Sequence, residues 1–132
     1  MKHLLTLLLF ISTSVMAESF YLICDGTEEQ YTRDNESFKI QKSLGIEVTD
    51  NKLFIDGVYF TDEKVILGSK YKKDKNKITF SSLTFLNDKA DTSFDGNIDR
   101  ISGQIHYEKH HVITGVSFYF DGKCRTSDKK AF

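Results

Sequence analysis

The stretch VITGVSFYFD, Val112 to Asp121, decides the fold class. Val116, Phe118 and Phe120 fall at every second position with Tyr119 between them, and a period of two belongs to an extended strand with one buried face rather than to a helix. Branched and aromatic side chains suit such a half-buried pleated surface. Gly122 follows and sets Lys123 to Thr126 apart as a further short segment.

The same alternation extends outward from this stretch. Ile98, Ile101, Ile105 and Tyr107 continue it upstream, with Gly103 as a bulge position and His110-His111 at the next reversal. Lys77 to Leu86 alternates after a Lys73-Asp74-Lys75-Asn76 turn, Asn87 to Asp95 reads as a polar connection, and Val65 to Ser69 as a short strand. Lys52 to Ile55 and Val58 to Thr61 flank Asp56-Gly57, a strong hairpin signal. Phe38, Ile40, Leu44, Ile46 and Val48 share a face interrupted only by Lys42. Phe20 to Cys24 forms the first strand, ended by Asp25-Gly26 and followed by a polar loop from Thr27 to Glu36. The expected fold is all-β: an antiparallel meander of about eight strands that closes into a small barrel or folds into a sandwich.

Residues 1–17 read as an export signal. Lys2 and His3 supply a positive start, Leu4 to Ile11 is apolar apart from Thr6, and Val15-Met16-Ala17 offers a small-residue cleavage site before Glu18. That leaves residues 18–132 for a single domain. No segment has the roughly 20 apolar residues of a membrane-spanning helix, and Cys24 behind Ile23 is not placed for lipid attachment. A terminal aromatic, here Phe132, also occurs in outer-membrane barrels, but Ser127-Asp128-Lys129-Lys130 breaks the alternation they need. The chain is therefore expected in the periplasm or outside the cell, as a monomer.

An oxidising compartment pairs cysteines, and Cys24 with Cys124 is the only intramolecular pair the chain offers. Closing a loop of about 100 residues is worth on the order of 4 to 5 kcal/mol in the chain-entropy model. The bridge brings the first and last strands together and favours closure.

Lys2 is the only formal charge in residues 1–17, so the remainder carries 17 basic against 19 acidic side chains. That balance excludes a basic nucleic-acid binder. Hydrophobic residues at 39% and aromatics at 13% suffice for a core and exclude a disordered chain.

Several residue groups carry chemistry. His106, His110 and His111 are the histidines outside the signal and could ligate a transition metal, but their spacing matches no ligand pattern. Asp91, Ser93, Asp95, Gly96, Ile98 and Asp99 imitate a calcium loop whose twelfth position is Ser102 where a glutamate is needed, and Asp-Gly is also an ordinary turn. Lys70, Lys72, Lys73, Lys75 and Lys77 surround Tyr71, a basic run that could meet lipid head groups, anionic glycan or an acidic protein but reads more simply as a solvated hairpin tip. Arg100, between two apolar strand positions, points outward or pairs with an acid such as Asp99 or Asp95. There is no G-x-S-x-G, no cysteine left for catalysis and no glycine-rich phosphate loop, so neither catalysis nor a cofactor is expected.

Cys24-Asp25-Gly26, Asp99-Arg100-Ile101-Ser102-Gly103, Gly122-x-Cys124 and the terminal Phe132, behind an export signal, together resemble small uncharacterised periplasmic proteins of Gram-negative bacteria. Tyr21-x-x-Cys24-x-Gly26 and Ser102-Gly103-x-x-x-Tyr107 resemble, with a shift of one residue, the Tyr-x-Cys-x-x-Gly and Ser-Gly-x-x-Tyr patterns of periplasmic lysozyme inhibitors. Those are disulfide-bridged β-barrels that plug an enzyme cleft with a loop. The expected function is a soluble periplasmic binding or interaction module without catalysis, its partner an envelope protein or a small ligand. An inhibitor of the lysozyme kind and a lipocalin-like carrier of an apolar ligand are the alternatives. Arg100, Ser102, His106 and Tyr107 are the candidate binding residues.

Overall fold

The structure, a computed structural model, describes residues 19–61 and 68–128. The export signal, the first three residues of the strand expected at Val65 to Ser69, and Phe132 lie outside these residues. Nine strands make one sheet: β1 (Phe20–Tyr31), β2 (Ser37–Val48), β3 (Lys52–Ile55), β4 (Val58–Thr61), β5 (Ser69–Lys73), β6 (Lys77–Leu86), β7 (Lys89–Asp99), β8 (Gln104–His111) and β9 (Val116–Ser127). Their order is β4-β3-β2-β1-β9-β8-β7-β6-β5, and every hydrogen-bonded pair is antiparallel. The sheet rolls into a nearly closed barrel. The expected all-β barrel with one disulfide is the observed one, with nine strands for about eight.

The strands are longer than the sequence suggests, because most Asp-Gly pairs are not turns. Asp25-Gly26 lies inside β1 and Asp121-Gly122 inside β9, with Gly26 directly opposite Gly122. A Cβ on Gly26 would run into the Asp121 carbonyl, and the Phe120 ring lies 2.9 Å from where a Cβ of Gly122 would sit. These glycines let two backbones and a ring meet at one point of a tightly curved wall. Gly96 does the same inside β7, beneath the Phe80 ring. Only Asp56-Gly57 turns the chain, both residues taking the positive φ (51° and 79°) of a tight hairpin.

The polar connection expected at Asn87 to Asp95 shrinks to Asn87-Asp88, again with positive φ, and β7 begins at Lys89. Similarly, Thr27 to Tyr31 continue β1, leaving the turn at Thr32 to Glu36. His110-His111 end β8, and the reversal falls at Val112 to Gly115, so β9 starts at Val116. Polar residues stay in strands here because each has a partner strand on both sides or a solvent-facing side chain.

The interior is filled by one layer of apolar side chains. Phe60, Phe80 and Phe94 pack with centroids 4.9 to 6.1 Å apart, Phe94 meets Tyr107 at 5.0 Å, and Tyr107 stacks on Phe120 at 5.0 Å. Leu22, Leu44, Ile46, Val48, Leu53, Ile55, Tyr71, Ile78, Ile98 and Ile105 complete the layer. Burying each large side chain contributes about 1.5–3 kcal/mol.

Two junctions close the ring. β1 and β9 pair over eleven residues, from Tyr21↔Ser127 to Tyr31↔Ser117, and Cys24 is bonded to Cys124 across them. The Cys124 N–H points the other way, to the Gly103 carbonyl at 2.7 Å, so the cysteines form a non-hydrogen-bonded pair, with Cα atoms 3.9 Å apart. At the other junction β4 and β5 run in the same direction, since eight antiparallel steps separate them around the sheet. Side chains stitch them. Ser69 Oγ accepts the Thr61 N–H at 3.0 Å, Tyr71 donates its hydroxyl to the Thr49 carbonyl at 2.7 Å, and Lys73 meets Asp50 at 2.6 Å. Lys70 to Lys73 thus belong to strand β5, and the expected lysine-rich tip is reduced to Asp74 to Asn76.

The ring is complete only at the end where Phe20, Val48, Thr61, Lys73 and Asp99 lie. β3 pairs with Ile46 to Val48 alone, and β5 reaches no further along β6 than Ser82. Beyond that level, among the described residues, β1, β2 and β6 to β9 continue as an open, curved half-sheet.

Candidate functional site

At the closed end, the chain from Asp99 to Gly103 makes a turn held in place on three sides. Asp99 Oδ1 accepts the N–H groups of Ile101 (2.8 Å) and Ser102 (3.1 Å), an Asx turn. The Gly103 N–H donates to the Asp99 carbonyl at 2.8 Å, with φ +80°. A Cβ there would sit 2.7 Å from the Cys124 carbonyl, so glycine is required by both conformation and space. These two amide bonds hold the Asp99 carboxyl below its ordinary pKa against a small opposing effect of burial.

Arg100 ties the turn to its neighbour. Its N–H donates to the Asn76 carbonyl at 2.8 Å and its guanidinium to the Asp74 carbonyl at 2.7 Å, and it lies 5.7 Å from the centre of the Phe20 ring. Neither of the acids named for it, Asp99 or Asp95, is its partner among the described residues: Asp99 uses its carboxylate on the amides of its own turn. Ser102 Oγ accepts the Gln104 N–H at 3.2 Å. Ile101 is the consequence of all this: it is 81% exposed, on a loop that cannot retract it. Beside the turn lies a cleft of about 300 Å³ lined by Phe20, Leu22, Ile78, Ile98, Arg100 and Thr126 among others.

The other candidate binding residues lie elsewhere. Tyr107 is fully buried in the core and donates its hydroxyl to Glu28 at 2.6 Å. Glu28 is 3% exposed and also accepts from Lys42 and Gln30, each at 3.0 Å. Burial alone would raise its pKa, but the three donors and the Lys42 charge outweigh that and hold the carboxyl below its ordinary value. Burial and the Glu28 bond push the Tyr107 hydroxyl strongly up, so it stays a donor. Lys42 and Lys109 both reach Asp56, at 3.3 and 3.6 Å, and Lys109 lies 5.1 Å from the Phe94 ring centre.

This ionic layer caps the apolar core where the ring begins to open. Sequence reading overlooked it, although a signal existed: Lys42 breaks the apolar face of β2, and Glu28 is in phase with Leu22 and Cys24 on β1. Two opposite charges in phase with two apolar stripes of paired strands mark an internal ion pair.

His106 sits on the outer face. It contacts Asp121 at 2.8 Å and Glu108 at 3.3 Å, while His110 contacts Glu108 at 3.5 Å and Ser117 at 2.9 Å. Partial burial would lower the His106 pKa, but the two carboxylates outweigh it and raise it. His111 points to the other face, against Phe118 and Thr92. The strand period therefore splits the histidines. Among the described residues no three His, Cys, Asp or Glu converge to hold a metal ion. Asp91 and Asp95, the start of the calcium-like stretch, lie along the extended strand β7 and cannot wrap an ion.

No family model, curated protein or solved structure matches the chain. Among the described residues no helix is long and apolar enough to cross a membrane.

Proposed function

We propose that the protein is a binding module of the cell envelope, acting without chemistry of its own, and that the Asp99–Gly103 turn is the part that meets a partner protein. The observation that carries this reading is the exposure of Ile101 on a turn fixed by its own hydrogen bonds. A loop already held in one conformation loses little entropy on binding, so its apolar tip contributes nearly its full burial to affinity. The export signal read in residues 1–17 and the oxidised Cys24–Cys124 pair support an extracytoplasmic location, the periplasm in particular.

A photo-crosslinking residue at position 101, expressed in intact cells, tests the proposal. The expected result is a discrete adduct, competed by unlabelled protein and absent when the crosslinker replaces Tyr59, another exposed apolar residue. Labelling that is equal at the two positions, or absent from both, overturns it.

A second reading, inhibition of a lysozyme, is favoured by the same protruding turn, since Ser102 and Gly103 carry the resemblance to those inhibitors. Tyr107, the third residue of that pattern, is fully buried and takes no part in contact. Equimolar mature protein is expected to suppress a lysozyme and Ile101→Asp to relieve the suppression. No effect on any lysozyme class removes this reading and leaves the first standing.

A further inference from the structure

At the open end, β2 has a partner on one side only. Its whole length pairs with β1, but on the other side β3 covers just Ile46 to Val48, so among the described residues nothing pairs with Ser37 to Ser43 there. The direction of the backbone groups follows from one bond and the unbroken register of β2. The Thr49 N–H donates to Lys52 at the start of β3, so odd-numbered residues of β2 point their N–H and C=O away from β1. The edge therefore offers the amides and carbonyls of Lys39, Gln41 and Ser43 in register, a template for another strand.

The side chains leave that template clear. On the outer face Ser43 reaches Asp25 (2.6 Å), Gln41 reaches Thr27 (3.2 Å) and Lys39 reaches Glu29 (4.0 Å), each across to β1 and away from the edge. On the inner face Phe38 and Ile40 are 50% and 39% exposed, although they continue the stripe that is buried at Leu44, Ile46 and Val48. Among the described residues β3, β4 and β5 do not extend to this level.

We infer that the Ser37–Ser43 edge of β2 receives an extended segment of a partner protein as an added strand, with apolar side chains at alternate positions facing Phe38 and Ile40. A second copy of the chain does not fit. Two-fold pairing centred on Lys39 or Lys42 sets that lysine against itself, centring on Ile40 or Gln41 sets Lys42 opposite Phe38 or Ile40 of the other copy, and centring on Ser37, Phe38 or Ser43 sets Glu36 opposite Phe38, Glu36 opposite Ile40 or Lys42 opposite Leu44. A strand with its own period-two pattern has neither conflict. The inference is independent of the Asp99–Gly103 turn, which lies at the opposite end of the barrel.

Amide hydrogen exchange of the oxidised mature protein, followed by NMR, tests it with the blocked peptide acetyl-TVKVEVT-amide as probe. In the free protein Lys39, Gln41 and Ser43 should exchange fast while Ile40, Lys42 and Leu44, bonded to β1, exchange slowly. Millimolar peptide should slow the first three at least about tenfold and leave the second three unchanged. A scrambled peptide, acetyl-VVVTTKE-amide, should not. Gln41→Pro removes an outward N–H without touching the β1 ladder and should abolish the protection, whereas Ile101→Asp should leave it intact. Absence of protection by the alternating peptide, equal protection by both peptides, or protection that grows with protein concentration alone, as self-pairing would give, overturns the inference.

Discussion

The two junctions that close this barrel are built on different principles. β1 and β9 meet along eleven residue pairs and a disulfide, while β4 and β5, four and five residues long, meet through side chains. The difference follows from counting. Antiparallel neighbours alternate in direction, so a ring with an odd number of strands must place two parallel strands side by side once. A parallel pair needs a crossover of a dozen or more residues, and only residues 62–68 join β4 to β5. Among the described residues no backbone ladder joins the two strands, and Tyr71, Ser69 and Lys73 bridge the junction. A junction without a ladder has no reason to run the full height, and among the described residues the far end stays open.

The largest effect is expected from cutting the strong junction. Cys24→Ala with Cys124→Ala should lower stability by about 2–5 kcal/mol, measured by denaturant unfolding of the oxidised wild type against the double variant. A loss below about 1 kcal/mol would mean that the β1–β9 ladder needs no staple.

Next comes the ionic layer beside that junction, where Glu28 lies opposite Phe120 of β9. Glu28→Gln should cost about 2–3 kcal/mol, less than a fully buried pair because Lys42 keeps access to water. It also changes the acid limb. Since the folded-state pKa of Glu28 is depressed, its contribution is complete above the ordinary value of 4.5 and is lost as the pH falls through the depressed one. The variant should therefore lose less stability than the wild type over that range; parallel acid limbs would show the network to be inert.

Smaller still is the weak junction. Tyr71→Phe removes one hydrogen bond to Thr49 and should cost about 1 kcal/mol. The informative readout is local: exchange should quicken in β5 while β1 and β9 stay protected. Uniform acceleration would mean that both junctions open together, as one unit.

The smallest effect concerns the outer face of β8 and β9. His106 has a raised folded-state pKa, so its contribution is complete below the ordinary value of 6.5 and fades as the pH climbs through the raised one. Asp121→Asn should remove most of this dependence, and titration of the His106 ring by NMR should show its pKa falling. An unchanged ring titration would show that the Asp121 contact carries no charge interaction.

Much of the fold was legible in the chain. Val116, Phe118 and Phe120, or Leu44, Ile46 and Val48, announce strands because side-chain direction alternates with every residue, whatever the strand later pairs with. The Asp-Gly pairs were misleading for the opposite reason. Asp56-Gly57 is a turn, but Asp25-Gly26, Asp95-Gly96 and Asp121-Gly122 lie within strands where another backbone or ring comes close, and closeness is not written locally. The candidate site was half legible: Arg100 and Ser102 do share one exposed turn, whereas Tyr107 is buried and His106 lies on another face.

The sequence by itself determined that this is an all-β chain with a pair of cysteines bracketing it, because strand period and composition are properties of neighbouring residues. Tertiary structure alone decided where the ring fails to close, which glycines are crossings, and that Glu28, Lys42 and Tyr107 meet inside. Each of these depends on which residues from distant strands stand opposite one another, and that register is fixed only when the whole sheet has curved on itself.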